Sequence, residues 1–345
     1  MPLLIIDPLH FAQWDESLRS LPDYSFFHTL SWATVLRESY DYKPLYFTIW
    51  EQARLKALLP CMEVNSPLTG NRGVSLPFTD YCEPIAPSAA HFQEMFQAAT
   101  AFGKKQHWKY LELRGGAAFF PNEEPSASYY GHILDLTAGS QKIFSNLRDS
   151  TRRNIKKAEK ENIRVAISTS PDAMKEFRRL NAITHRDHGL PPQPRRFFQC
   201  VYDHILAKNL GFIVLASSDG AAIAANVYFH AGDTVIYKYG ASDRAYQHLR
   251  VNHLVMWEAV KWGGDQGYKR LCFGRTEPEN EGLRQFKTGW GARESLIHYY
   301  RYDLQKDAFE KRGQIYLFLL FKKIFGKLPV PVLKTLGNIL YRHMG

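Results

Sequence analysis

The chain has 345 residues, 45% of them hydrophobic and 14% aromatic, with a formal net charge of +10. That length suits two domains better than one, and that apolar content excludes a largely disordered protein. The longest apolar run, Ile315 to Phe321, is seven residues, too short to span a membrane.

Met1 to Asp7 lacks the basic start of a signal peptide. Cys61, Cys82, Cys200 and Cys272 have neither metal-ligand nor redox spacing and sit beside apolar residues, so they read as buried free thiols in a reducing cytoplasm. The positive charge is uneven. No acidic residue follows Glu310, whereas Lys311, Arg312, Lys322, Lys323, Lys327, Lys334 and Arg342 do. That local excess implies either contact with something anionic or a solvated tail.

In chain order, residues 10–40 read as helical on Phe11, Trp14, Leu18, Trp32, Val35 and Leu36. Tyr46 to Trp50 and Leu55 to Met62 read as paired strands, and Gly73 to Asp80 as a strand running into a loop. The apolar spacing of Phe92, Met95, Phe96, Ala99 and Phe102 predicts a helix over 91–106. Strands follow at 108–114 and 130–136. A helix over 141–162 places Phe144, Leu147, Thr151, Ile155 and Ala158 on one face. Arg148, Arg152, Arg153, Lys156, Lys157 and Lys160 cover much of the remainder, as a phosphate-tracking surface or an ordinary solvated face.

The second half predicts a strand at 163–167, helices over 171–187 and 196–208, and a rigid break at Gly189-Leu190-Pro191-Pro192. Three strands at 211–217, 221–230 and 234–239 precede an amphipathic helix over 252–266. A strand at 270–273 then delivers the segment 273–291, read as a loop, and 296–302 closes the sheet. That segment mixes charges with four glycines, Gly274, Gly282, Gly289 and Gly291, a poor composition for a core and a suitable one for a site.

Three groups of residues resemble the FemABX-like acyltransferases of the GNAT superfamily, including its CelD-like, exopolysaccharide- or envelope-associated branch. They are Arg152 to Lys160, Tyr239-Gly240-Ala241-Ser242, and Gly274-Arg275 through Phe286-Lys287 to Gly289-Trp290-Gly291. Gly189-Leu190-Pro191 is similar to a loop of the same branch. The resemblance implies a mixed α/β (α+β) chain of tandem GNAT-like domains, each a mostly antiparallel sheet flanked by helices. The expected boundaries are 1–140 and 141–305, with a basic amphipathic tail at 306–345. It implies acyl-CoA or aminoacyl-tRNA as donor co-substrate, no tightly bound cofactor, and a glycan, peptidoglycan-precursor or lipid-linked acceptor. By match with the family's Phe-Lys pair, Lys287 is the catalytic cation and Phe286 packs against the donor.

CoA-binding GNAT enzymes carry a glycine turn ahead of the central helix, where bare N–H groups hold pyrophosphate. Arg244 to Asn252 has no glycine there. Arg244, His248 and Arg250 are the side-chain candidates for donor phosphate, joined by Arg152, Arg153 and Lys156. Acyl transfer also needs a cation or N–H aimed at the developing oxyanion and an acceptor for the nucleophile's proton. Arg275 is placed to clamp a phosphate or carboxylate. Glu277, Glu279 and Glu281 are alternatives for the proton, Glu281 being the candidate carried forward. The rival reading is that Lys287 and Arg275 pair with these glutamates to brace a loop. Tyr239, Asp80 and Tyr81 are candidate substrate contacts, or else ordinary strand and turn residues. His185 and His188 lack a third ligand at telling spacing, so no metal is expected.

The tail sets Tyr316, Leu317, Phe318, Leu320, Phe321, Ile324 and Phe325 beside lysines, then Val332, Leu333, Leu336, Ile339 and Leu340 beyond a proline break. Residues 311–345 therefore read as a contact with an anionic membrane surface, against packing on the first domain. The expectation is a cytoplasmic acyltransferase peripheral to the inner membrane. Its rivals are a non-catalytic scaffold of an envelope or exopolysaccharide assembly complex with a degenerate cleft, and an RNA-binding module using tRNA contacts at 148–160.

Overall fold

The computed structural model describes residues 2–311, Phe325 and 328–345. They form two compact units, one of residues 2–129, 296–311 and 339–345, the other of 130–295, Phe325 and 328–338. These differ from the contiguous 1–140, 141–305 and 306–345 of the sequence reading. The late strand and the chain end return to the first unit, a pairing that local sequence does not carry.

The first unit contains β1 (Leu3–Ile6), α1 (Trp14–Leu18), α2 (Leu30–Tyr40), β2 (Lys43–Glu51), β3 (Arg54–Val64), β4 (Arg72–Val74), α3 (Ala89–Lys105) and β5 (Tyr110–Arg114). The helix expected over 10–40 is interrupted, with a 3-10 turn at Phe26–His28 between α1 and α2. Ser25 and His28 cap that turn reciprocally. The strand expected over 73–80 stops at Val74. Strands β1 to β5 are neighbours in chain order, and residues 299–303 of the late strand pair antiparallel with β5. Apolar positions of β2 and β3, such as Phe47, Ile49, Ala57 and Leu59, pack with Phe92, Met95, Phe96 and Ala99 of α3. The chain end is held here: buried Arg72 donates through Nε to the Gly345 carbonyl at 2.8 Å.

The second unit continues with β6 (Ala127–Asp135) from Tyr130 onward, α4 (Ser140–Asn146), α5 (Asp149–Glu159), β7 (Arg164–Ser168), α6 (Pro171–Asp187), α7 (Arg195–Val201), β8 (Gly211–Ser218), β9 (Ala221–Ala231), β10 (Thr234–Ser242), α8 (Val251–Asp265), β11 (Arg270–Thr276) and α9 (Glu281–Thr288). Strand β12 (Arg293–Asp303) begins here; β13 (Ala308–Phe309) pairs with its first-unit end. The sheet order is β6-β11-β10-β9-β8-β7, antiparallel except for β10 with β11. Helix α8 packs Val255, Ala259 and Val260 into a core with Phe212, Val214, Tyr228 and Val235. The α10 helix (Val330–Leu340) buries Leu333, and a Cβ at Gly337 would lie 2.1 Å from the Pro192 carbonyl oxygen. The tail's first apolar piece, 316–325, lies outside the described residues apart from Phe325.

Two corrections bear on the site. The single helix expected over 141–162 is two, because buried Leu147 adopts an extended ψ of 148°. There the Arg148 N–H donates to the Gly289 carbonyl at 3.0 Å. The segment 273–291, read as a loop, contains α9, whose Asn280 cap accepts from the Leu283 N–H at 3.1 Å. All four cysteines are buried free thiols, as read from sequence. Among the described residues no helix is long and apolar enough to cross a membrane.

Candidate active site

Strands β10 and β11 pair only from Thr234–Arg270 to Ile236–Cys272, although β10 runs on to Ser242 and β11 to Thr276. Beyond Ile236 the two edges part. A cavity of about 450 Å3 occupies this region, lined by β10, α6, the first turns of α8, and Leu283 and Phe286 of α9. Strand ends that lose their ladder leave backbone groups able to take a ligand, the usual place for a site in an open α/β sheet.

A β-bulge decides which side chains face this cavity. The pairing with β9 shifts between Tyr237 and Tyr239. Residues two apart in a strand normally share a face, and an extra residue breaks that alternation. Tyr237 lines the cavity. Tyr239, the residue expected there, instead places its ring among Phe177, Phe197 and Phe198 at 5.7–6.3 Å between centroids. Gly240 is required next to them, since a Cβ there would come within 1.8 Å of the Tyr237 hydroxyl.

Helix α8 aims its N-terminus at the same space, with Val251, Asn252 and His253 in the lining. The positive end of its dipole and its unsatisfied N–H groups favour an anion. The residue before it, Arg250, has φ +60° and lines the cavity. The left-handed turn that a glycine would make is thus present, built with arginine, and the side chain occupies what would be bare backbone. Gln247 lines the cavity too, whereas His248 is exposed with Nδ1 3.1 Å from the Ala245 carbonyl. Arg244 is exposed and lies 3.5 Å from Asp187.

On α9, Phe286 reaches the cavity and packs edge-on against His253 at 5.1 Å and Trp290 at 6.0 Å. Lys287 points the other way. Its residue is buried, and Nζ donates to the carbonyls of Arg275 at 2.9 Å and Gly274 at 3.3 Å. Gly274 has φ +68° where the β11–β6 register shifts, which turns its carbonyl out of the ladder toward the amine. Close by, buried His132 sets Nε2 3.0 Å from Glu294, which also takes two bonds from Arg284 at 2.7 and 2.6 Å. Burial and the Lys287 charge push the His132 pKa down. Arg284 also lies over the Tyr130 ring at 3.7 Å.

The other expected residues lie as follows. Arg275 sits 3.8 Å from Glu277, and Glu281 is exposed at the first position of α9, outside the cavity lining. Arg152 bonds Asp149 and the Ser145 carbonyl, Lys156 lies over the Phe144 ring, and Arg153 is exposed on α5. None of the three lines the cavity. Asp80 and Tyr81 belong to the first unit, where the Asp80 carbonyl accepts from the Tyr299 hydroxyl at 2.6 Å.

The sequence reading missed His253, whose Nε2 lies 3.2 Å from the Asn154 amide nitrogen of α5. Burial, with the Arg250 charge, lowers its pKa to about 4, so the ring is neutral at neutral pH. Its position in the first turn after a break was the available signal. Also missed was the contact that joins the two motif segments: a Cβ at Gly289 would lie 2.6 Å from Thr151 Oγ1 of α5. Among the described residues no group of three or more His, Cys, Asp or Glu is placed to hold a metal.

Residues 145–288 match the acetyltransferase (GNAT) domain family. Among solved structures the chain is similar to FemX, at 13% identity and TM-score 0.72 over 93% of this chain and 100% of that one. It is also similar to a tandem GNAT protein from the clavulanic acid biosynthesis pathway, at 9% identity and TM-score 0.55 over 88% and 98%. A third likeness is to the C-terminal domain of a putative lysylphosphatidylglycerol synthetase from Agrobacterium fabrum, at 11% identity and TM-score 0.54 over 83% and 91%. At these identities the likeness is one of fold. No curated protein matches the chain in sequence. The expected mixed α/β architecture of tandem GNAT-like sheets is the one observed.

Proposed function

We propose that this chain, whose residues 145–288 match the acetyltransferase (GNAT) domain family, is an acyltransferase that carries an acyl or aminoacyl group to a cell-envelope acceptor. The acceptor is a glycan, peptidoglycan precursor or lipid-linked molecule bearing an amine or hydroxyl, and the donor is acyl-CoA or aminoacyl-tRNA. The observation that carries this reading is the parting of β10 from β11 over a 450 Å3 cavity with the N-terminus of α8 aimed into it. Donor phosphate binds at Arg250 and the first N–H groups of α8. The acyl carbonyl lies along the open edge of β10, and Phe286 packs against the donor.

The nucleophile attacks the acyl carbon, the carbonyl oxygen gains charge, and the leaving thiol or ribose hydroxyl departs. N–H groups at the open edge of β10 and in the first turn of α8 stabilise that oxygen, while Lys287, which points away from the cavity, braces the end of β11 through the Gly274 and Arg275 carbonyls. One of the two imidazoles in the lining, His253 or His188, takes the nucleophile's proton, since no described carboxylate lines the cavity. The envelope setting draws on the lysylphosphatidylglycerol synthetase likeness, whose name places its product on a lipid, and on the acid-free basic tail. A peripheral position at the inner membrane follows from the same two features.

The test is calorimetric titration of the full chain with acyl-CoA and with aminoacyl-tRNA, followed by single-turnover transfer to envelope extracts. A donor that binds wild type and loses affinity in Arg250→Ala supports the reading. Binding of neither donor sinks it and favours a non-catalytic scaffold.

A further inference from the structure

A second cavity, of about 810 Å3, lies along α6, α7 and α10 and shares no lining residue with the acyl cavity. Its walls are fixed: Pro192 is part of the lining, and the close approach of Gly337 to the Pro192 carbonyl seats α10 against it. The charge within it is unbalanced. Glu176 is taken up by Arg179 at 2.8 Å, and Arg179 also donates to the Ala222 carbonyl at 2.6 Å. Lys175, Arg178, Arg195 and Lys334 remain, facing a single further carboxylate, Asp172. Among the described residues none of these four cations has an ion-pair partner.

We propose that this cleft binds a phosphate- or diphosphate-bearing anion. Two guanidinium groups present planar forks suited to phosphate oxygens, and two ammonium groups add point charges. Arg178 is half-buried, and burial together with the Arg195 charge lowers its pKa. Lys175, Arg195 and Lys334 are exposed around it, and like charges facing one another across the cleft repel, a repulsion that a bound anion offsets. Gln193 in the same lining carries a buried Oε1 with no hydrogen-bond partner among the described residues, a polar group whose need a ligand meets. The volume leaves room for a substituent beyond the phosphates. The inference stands apart from the acyl-donor reading, since no residue is shared.

The experiment is titration of the full chain with inorganic pyrophosphate at low and high salt, read by calorimetry, for wild type, Arg178→Ala/Arg195→Ala, and Arg250→Ala. Wild type should bind, more weakly as salt rises; Arg250→Ala, which removes only what the donor-phosphate position takes up, should still bind, and the double variant should lose at least about tenfold in affinity at the second cavity. If the double variant fails to fold, Arg178→Lys/Arg195→Lys retains the charge without the fork and should show a smaller loss. Phosphatidylglycerol vesicles decide the source. Sedimentation with vesicles that pyrophosphate competes away assigns a lipid headgroup, and its absence assigns a soluble phosphate compound. Absence of pyrophosphate binding, equal affinity in the double variant, or loss of binding in Arg250→Ala alone would overturn the proposal.

Discussion

The Lys287 amine caps the carbonyl of Arg275 at 2.9 Å while only 2% of the residue is exposed. An ammonium buried this deeply, on the carbonyls of a strand that leaves its parallel partner, has two separable effects. It braces the end of β11, and it sets a positive potential there. Lys287→Met keeps the length and apolar stem and removes the charge. The expected result is a lower melting temperature, with transfer slowed only as far as the end of β11 and its potential reach the cavity, less than the roughly 100-fold expected for loss of a direct oxyanion donor. Single-turnover rates measured beside thermal melts separate the effects. A variant that melts early yet transfers at the wild-type rate would confine Lys287 to bracing.

Arg250 holds φ +60° at the entry to α8. An arginine in the left-handed region costs about 1 kcal/mol relative to glycine. Arg250→Gly should therefore raise stability while removing a cation from the donor-phosphate position. The two readouts move in opposite directions: melting temperature up, donor affinity down by about tenfold for one lost charge-assisted contact. If affinity rises instead, the bare backbone is the better phosphate cradle and the arginine side chain obstructs it.

Phe286 joins cavity and core, touching His253 and Trp290. Its truncation to alanine removes part of a half-buried aromatic, worth about 2–3 kcal/mol, less than the full cost for a buried ring. Donor KM should rise, because the face that packs against the donor is lost, and Phe286→Leu should recover most of the stability but less of the KM. Equal recovery of both would mean that the ring serves packing alone.

The elements that local pattern dictates were readable in the sequence. Alternation delivered β8, β9 and β10, and apolar periodicity delivered α3, α6 and α8, α6 with both its ends, Pro171 and Asp187. What failed was set by tertiary contact or by a single backbone irregularity. The face of Leu147 and Thr151 continues the helical period, so nothing local announces the break that lets the Arg148 N–H reach Gly289. The charges and glycines of 273–291 hid α9, although Asn280 followed by Glu281 is a helix-start signal. Tyr239 was expected as a substrate contact or an ordinary strand residue, and the bulge, which alternation does not announce, puts Tyr237 on the cavity face instead. The general base was sought among the glutamates of the charged segment, while the imidazoles lining the cavity are His188, at the end of α6, and His253, on a helix that reads as core.

Acid should weaken this fold through its buried imidazoles. Burial lowers the pKa of His28, His185 and His253 to about 4 each, against about 6.5 in an unfolded chain. Between those values the unfolded state binds protons that the folded state refuses, so stability rises with pH across that window. The contribution is fully present above about 6.5 and is lost progressively as pH falls toward 4. Urea unfolding at pH 7.5 and at pH 4.5 should give a lower midpoint in acid. His185 accounts for a separable share, since its Nδ1 lies 3.0 Å from the Pro191 carbonyl, a contact that a glutamine amide can replace without a titrating group. His185→Gln should reduce the difference between the two midpoints while leaving the one at pH 7.5 near its wild-type value; an unchanged difference would place the acid sensitivity on other groups.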